Sequence, residues 1–181
     1  MAATRASLPQ PEDFAGPPTP DDLARWLEAD RAARPGRLAR LRARFAAVDV
    51  DAYFGVRREN SRYLTGFVLG EGEEKVAGHS GQFLVGAEDV VVLADSRYSI
   101  QATRETPEAR IENAGYELPA AWRGLVGSVG ARRVAVEAGF VSHALWRRLE
   151  TAAPTARVTT VCRPAYSARV TTASSTTASG S

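Results

Sequence analysis

Three segments decide the predicted fold: NSRYLTGF (residues 60–67), GQFLV (81–85) and VVVLADSRY (90–98). The second and third segments read as two short strands joined by a tight turn. The unbroken apolar run at residues 90–93 is typical of a strand that is buried on both faces. Asp95 or Ser96 is predicted to cap a helix that starts near Arg97. Arg97 and Tyr98 are therefore expected at the carboxyl end of a sheet, where open α/β folds contact ligands.

The sequence on both sides of these segments alternates between strand and helix patterns. Further strands are predicted at residues 51–56, 110–113, 134–136 and 157–161. Helices are predicted at residues 58–64, at 97–105, from Pro119 to Gly127 or Gly130, and after a Ser142 cap. Such alternation favours an α/β fold, a parallel or mixed sheet with helices on both faces.

The segment before the first strand is predicted to contain two helices. Residues 1–20 are rich in Ala, Pro and Thr and are expected to be disordered. An extra helix is expected at residues 21–35, ending before Pro35 and Gly36. In the helix that follows, the stripe formed by Arg37, Arg40 and Arg44 reads as a phosphate-binding face or as a solvated flank, and the second interpretation is favoured. The main α/β domain is assigned to residues 21–161.

Composition excludes several classes of protein. The 181 residues are 44% hydrophobic and 24% charged, as in a globular domain. The net charge of +2 is too small to indicate a nucleic-acid partner. Cys162 is the only cysteine, which excludes an internal disulfide and is typical of a reducing cytoplasm. Since the sequence has neither a signal-peptide pattern nor a membrane-spanning run, a cytoplasmic location with no membrane partner is expected.

The residues alone give little sign of catalysis. His79 and His143 are the only histidines. His143 follows the predicted Ser142 cap and is interpreted as a surface residue. His79 lies in a long glycine-rich loop near Glu71, Glu73 and Glu74, but one histidine with flexible carboxylates makes a poor metal site. No nucleophile elbow, Walker loop, dinucleotide fingerprint or CxxC motif is present, so no catalytic or metal-binding residue is assigned.

The ordered set of motifs resembles the creatinase-type N-terminal domain of the Xaa-Pro aminopeptidase, prolidase and creatinase family. The resemblance covers about residues 37–161. It is carried by Asn60, by Tyr63 to Phe67, by the segment Asp95-Ser96-Arg97-Tyr98, and by Gln101-Ala102. It implies a ribonuclease-H-like α/β domain, and a chain that does not include the family's catalytic domain. Two divalent metal ions of the manganese type are then expected only in that other domain, with none held by this chain.

The resemblance also implies where substrate contacts lie. In the family this domain supports oligomers and borders the substrate site, so the residues expected near substrate are Asn60, Tyr63, Arg97, Tyr98 and His79. A structural interpretation stands beside each: Arg97 bridging Asp95, the aromatic residues in the core, Asn60 as a cap or turn residue.

Residues 162–181 are expected to be a disordered tail. The segment is rich in Ser, Thr and Ala and has no acidic residue, whereas the family continues here into a charged amphipathic helix. A natural tail and a shifted reading frame both explain the change, and the second is favoured.

Three functions are weighed. The favoured one is a truncated aminopeptidase-P-like protein that is inactive alone and whose parent enzyme is a metal-dependent Xaa-Pro peptidase. The alternative is a stand-alone, non-catalytic module that assembles with itself or with a full-length relative. A nuclease on the same scaffold is discounted because only Asp95 is suitably placed to hold a metal.

Overall fold

The computed structural model describes residues 17–115 and 117–161, without the side chains of Glu74 and Val161. The tails predicted to be disordered therefore lie almost entirely outside the described residues. The described residues fall into two compact units, one within residues 1–33 and the other within residues 34–181. In the first unit, the described part is the beginning of helix α1. The second unit holds every strand and all the other helices of the described residues.

Helix α1 spans Pro20–Arg42 and runs through Pro35. The prediction that a first helix ends before Pro35 and that a separate one follows is therefore wrong. A proline removes one backbone hydrogen bond and disfavours the preceding turn, but a helix can continue past it when its later turns are anchored. Here Leu41 is buried in the core, and Arg34 is buried against the two helix ends described below.

The elements after α1 follow the predicted order. Short 3₁₀ helices lie at Ala46–Val48 and Glu73–Lys75. The strands are β1 Ala52–Gly55, β2 Phe83–Val85, β3 Val90–Leu93, β4 Arg110–Glu112, β5 Arg133–Glu137 and β6 Arg157–Val161. The helices are α2 Arg58–Thr65, α3 Ser99–Glu105, α4 Leu118–Ser128 and α5 His143–Ala152. Helix α5 has the predicted cap, since Ser142 Oγ accepts a hydrogen bond from the Leu145 amide at 3.1 Å.

The six strands form one mixed sheet in the order β4-β3-β2-β1-β5-β6. Strand β2 is antiparallel to both of its neighbours, β1 and β3. The pairs β1–β5, β3–β4 and β5–β6 are parallel. Five strands therefore end at one edge of the sheet, and β2 begins there. The predicted α/β fold with a mixed sheet is confirmed.

Side chains alternate between two cores, one on each face of the sheet. Phe54 points to the core under α4 and α5, where its ring packs edge-to-face on Trp122 at a centroid distance of 5.0 Å. Its neighbour Tyr53 points to the core formed with the helices of the other face and packs on Phe83. Helices thus cover both faces, and the edges of the sheet carry the loops.

Helix α3 begins two residues later than predicted. Its preceding residue is Tyr98, and no side chain caps the helix. Asp95 closes a tight turn before the helix instead: its carbonyl accepts the amides of Tyr98 and Ser99, and its carboxylate accepts the Arg97 amide at 2.9 Å. Arg97 therefore lies in a turn at the end of β3 rather than on the helix.

The end of α2 depends on glycine and on a buried arginine. Gly66 has a φ of 87°, and a β-carbon there would collide with the Arg34 guanidinium. Arg34 Nη1 donates to the carbonyl oxygen of Thr65 at 3.2 Å and to that of Glu105 at 2.9 Å. One guanidinium thus donates hydrogen bonds to carbonyl oxygens at the carboxyl ends of both α2 and α3, where helix dipoles favour positive charge.

Candidate functional site

The carboxyl edge of the sheet carries two neighbouring clefts that share Gly78 and Ser80. The first, called the Arg97 cleft, has a volume of about 450 Å³. Its polar lining consists of Lys75, His79, Ser80, Asp95, Ser96, Arg97 and Asn113. The second, called the Arg57 cleft, has a volume of about 330 Å³ and is lined by residues 56–59, Ser61, Phe67, Leu69, Gly78, residues 80–82 and Phe140. Both lie where open α/β sheets contact ligands.

Arg97 is held in place by its neighbours. Its Nη2 donates to Asp95 Oδ2 at 2.6 Å and to the carbonyl oxygen of Val76 at 3.0 Å. Ser80 Oγ accepts the Asp95 amide at 3.1 Å and so ties this turn to the glycine-rich loop. The hydrogen bonds from Arg97 lower the pKa of the Asp95 carboxyl group. The Arg97 side chain is 52% exposed, so a positioned guanidinium faces the solvent side of the cleft.

His79 connects the same cleft to helix α4. Its Nε2 accepts a hydrogen bond from the Leu118 amide at 3.3 Å, at the start of that helix. Because an accepting ring nitrogen carries no proton, the proton is assigned to Nδ1, which donates to Gln82 Oε1 at 3.2 Å. Both ring nitrogens are thus engaged in holding the loop against α4, and His79 fits a positioning role.

The Arg57 cleft combines a cation with aromatic surface. The Arg57 guanidinium carbon lies 4.6 Å from the centroid of the Phe140 ring, within the range of a cation–π contact. Phe140 is 58% exposed. Glu59 Oε2 is 3.4 Å from Arg57 Nε, a surface ion pair at the rim of this cleft.

Beneath the Arg57 cleft lies a buried carboxylate that sequence reasoning missed. Glu137 ends β5 and accepts four hydrogen bonds. Its Oε2 accepts the amides of Val56 and Arg57, each at 2.9 Å. Its Oε1 accepts the Tyr53 hydroxyl at 2.6 Å and the Asn60 side-chain amide. Burial, followed by the charge of Glu137, raises the pKa of Tyr53. The network joins β1, α2 and β5 at the edge.

The structure brings together two of the five residues expected near substrate. Arg97 and His79 line one cleft, whereas Asn60, Tyr63 and Tyr98 line neither of the two edge clefts. Asn60 is buried in the Glu137 network, and Tyr98 is 7% exposed within the core. Arg37 stacks on the Tyr63 ring at 4.4 Å and donates to the Tyr63 carbonyl oxygen at 3.0 Å. Contact of any of the five with substrate stays a prediction.

Two classes of feature do not occur in the part of the chain that the structure describes. It contains no group of three or more His, Cys, Asp or Glu residues placed to hold a metal ion. Among the same residues, no helix is both long and apolar enough to cross a membrane.

Comparison with known proteins gives the family. Residues 37–170 match the model of the creatinase/prolidase N-terminal domain. The chain belongs to the creatinase/prolidase N-terminal domain family. The predicted family is thereby confirmed, and the match continues past Cys162, where the sequence analysis placed the departure from the family pattern. No curated protein matches the chain.

Solved structures share this fold. An Xaa-Pro dipeptidase from Bacillus anthracis has a TM-score of 0.60 at 16% identity, and the match covers 71% of this chain and 33% of that one. The N-terminal domain of the cytoplasmic peptidase PepQ from Mycobacterium tuberculosis H37Rv gives 0.53 at 26% identity, covering 70% and 91%. The corresponding domain of a metallopeptidase from Corynebacterium diphtheriae gives 0.53 at 23% identity, covering 76% and 96%. The matched region thus spans about a third of the dipeptidase and nearly all of the two isolated domains.

Proposed function

We propose that this chain is the non-catalytic N-terminal part of an aminopeptidase-P-like, metal-dependent Xaa-Pro peptidase, and that its Arg97 cleft borders the peptide-binding site. The observation that carries the proposal is a positioned arginine in a cleft at the carboxyl edge of a domain of this family. The dipeptidase of B. anthracis has about two-thirds of its length outside the matched region. A cytoplasmic location is proposed with it, since the similar PepQ is named a cytoplasmic peptidase.

The chain's own residues supply contacts, and the hydrolytic chemistry belongs to another domain. Paired divalent ions of the manganese type would activate a water molecule when bound. The described residues do not fit such ions, because no three carboxylate or imidazole groups converge among them. Arg97 instead offers a cation fixed by Asp95 and by the Val76 carbonyl oxygen, which suits a peptide carboxylate or carbonyl oxygen. His79 positions the loop that carries this cleft.

Two assays test this proposal. The purified chain, supplied with Mn²⁺ and an Xaa-Pro peptide, is expected to release no amino acid; hydrolysis that copurifies with the chain would contradict it. In a chimera that joins this domain to the catalytic domain of an Xaa-Pro peptidase, Arg97→Gln should raise KM about tenfold and leave kcat nearly unchanged, as the loss of a binding contact does. The matched control is Arg104→Gln, at an exposed position of α3. Equal effects of the two substitutions would also contradict the proposal.

A second candidate function is a stand-alone module that assembles with another copy or with a full-length relative. Its support is the apolar surface in the described part of residues 1–33, where Leu23, Trp26 and Leu27 are 47%, 54% and 65% exposed. Exposed apolar clusters mark interaction surfaces more often than isolated residues do. Light scattering of the chain, alone and mixed with a full-length relative, tests this function. A mass equal to one chain in both samples would exclude assembly as its role.

A further inference from the structure

We infer that the Arg57 cleft binds an organic carboxylate that carries an apolar group, such as the C-terminal residue of a peptide or an acylated amino acid. The inference concerns this chain by itself and does not depend on whether the Arg97 cleft borders a peptidase site. Its basis is a cleft of about 330 Å³ in which a positioned guanidinium lies beside aromatic and aliphatic side chains. Small-molecule sites typically combine apolar walls with a few fixed polar groups.

Arg57 is fixed from its backbone outward. Its amide and that of Val56 both donate to the buried carboxylate of Glu137, so the start of α2 cannot shift without breaking that network. The guanidinium then rests on the Phe140 ring. Within residues 17–115 and 117–161, the buried Arg57 Nε makes no hydrogen bond, and its ion-pair partner Glu59 Oε2 lies 3.4 Å away. A buried donor without a hydrogen bond is unfavourable, and an acceptor bound in the cleft at hydrogen-bond distance would remove that penalty.

The carboxylate of a bound ligand can match the Arg57 guanidinium better than the side-chain carboxylate of Glu59 does. The two oxygens of a carboxylate can accept from Nε and from a terminal nitrogen of the same guanidinium in parallel. Glu59 approaches Arg57 at 3.4 Å, and its side chain is 63% exposed. Such exposed pairs contribute little to stability, so Glu59 is a weak competitor that a bound carboxylate displaces.

The rest of the lining selects for an apolar group next to the charge. Phe67 is 1% exposed and forms the floor with Leu69, while Phe140 is 58% exposed and gains burial when a ligand covers it. The negative charge of Glu59 at the rim disfavours a doubly charged inorganic phosphate more than a singly charged carboxylate. The ligand expected here is therefore a singly charged carboxylate with an aliphatic or aromatic side chain.

Titration of the full 181-residue chain with a matched pair of probes tests this inference. N-acetyl-leucine and N-acetyl-leucinamide differ only in the terminal carboxylate or carboxamide. In ¹H–¹⁵N spectra we expect the Arg57 Nε–H signal and the amides of Gly81 and Phe140 to shift with the carboxylate. The carboxamide should bind at least tenfold more weakly. Equal binding of the two probes, or equally strong shifts at these positions with inorganic phosphate, would overturn the inference.

Four variants of the chain locate the site. Arg57→Gln should weaken N-acetyl-leucine binding at least tenfold, whereas Arg104→Gln, at an exposed position of α3 outside both clefts, should leave it within twofold. Glu59→Gln removes the competitor and should strengthen binding two- to fivefold. If Arg57→Gln does not fold, Arg57→Lys serves instead; it keeps the charge but loses the two-pronged geometry, and weaker binding is again expected. Equal effects of the Arg57→Gln and Arg104→Gln substitutions, or weaker binding by Glu59→Gln, would refute the assignment.

Discussion

Arginine side chains occupy two regions of this domain in different ways. At the carboxyl ends of α2 and α3, Arg34 is 8% exposed and donates to two backbone carbonyl oxygens. At the carboxyl edge of the sheet, Arg97 is 52% exposed and Arg57 32% exposed by side chain, and both line clefts. The difference teaches that the surroundings decide the role of an arginine. Arg34 has a structural role because it donates hydrogen bonds to helix ends in the core, whereas Arg57 and Arg97 are partly exposed to solvent at the edge of the sheet.

The largest effect on stability is expected for Glu137, which lies at the edge of the sheet but is as buried as Arg34. Replacing it by alanine leaves the Tyr53 hydroxyl, the Asn60 amide and two backbone amides without their acceptor. We expect Glu137→Ala to lower the free energy of unfolding by about 3 kcal/mol, measured by urea denaturation.

The matched control for Glu137 is Glu112→Ala. Glu112 also ends a strand at this edge, but its side chain is 44% exposed and pairs with Arg110 on the surface. A change below about 0.5 kcal/mol is expected there. Equal losses of stability in the two alanine variants would contradict the claim that the buried hydrogen bonds of Glu137 stabilise this edge.

Arg34 gives the next largest effect. Arg34→Met keeps an unbranched apolar stem but removes the donors to the carbonyl oxygens of Thr65 and Glu105. Hydrogen bonds from a charged donor to buried acceptors are among the stronger ones, so we expect a loss of about 2 kcal/mol in urea denaturation. Arg40→Met changes an exposed arginine of the same helix and should cost less than about 0.5 kcal/mol. Equal costs would show that burial of the Arg34 guanidinium contributes nothing.

Most of the fold could be predicted because its signals are local. The run at residues 90–93 indicated a buried strand and Ser142 indicated a helix start; both are seen in the structure. The continuation of α1 through Pro35 was not predictable in this way. What holds the later turns of that helix includes Arg34, whose carbonyl partners lie 31 and 71 residues further along the chain.

Of the candidate site, only the residues that directly follow a strand at the edge of the sheet could be predicted from the sequence. Arg97 follows a strand, and parallel strands bring their carboxyl ends together, so its place in a cleft followed from the pattern. Glu137 gave no comparable sign. It reads as one more acidic residue after a buried run, and its partners in β1 and α2 lie between 77 and 84 residues away. Asn60 was singled out by family resemblance, and its burial against Glu137 depends on the same distant contacts.

A smaller, pH-dependent effect is expected at the opposite edge of the sheet. Asp51 accepts hydrogen bonds from the Arg133 side chain and from the amides of Arg132 and Arg133. The Arg133 side chain is the largest cause that lowers the Asp51 pKa. A carboxyl group with a lowered folded-state pKa adds stability above its unfolded pKa of about 3.9, and that stability is lost as pH falls through the folded value.

The matching substitution is Asp51→Asn. It should cost about 1 kcal/mol at pH 7, a modest value because this pair is partly exposed to solvent. The difference from the unmodified chain should shrink below pH 4, because protonation then removes the carboxylate charge from the unmodified chain as well. Urea denaturation at pH 7, 5 and 3 measures this, and a difference that grows toward pH 3 would contradict the assigned sign.

The smallest effect on stability is expected at Arg97, and this smallness is what separates a cleft residue from a structural one. Arg97 contacts Asp95 and the Val76 carbonyl oxygen at the protein surface, where ion pairs contribute little. Arg97→Gln should therefore change the free energy of unfolding by less than about 0.5 kcal/mol. The Asp95 pKa should rise toward its ordinary value, because the substitution removes the side chain that lowers it. NMR titration of the Asp95 carboxyl carbon measures the second effect. A loss of stability as large as that of Arg34→Met would give Arg97 a structural role like that of Arg34, and it would contradict the proposed role of Arg97 in ligand binding.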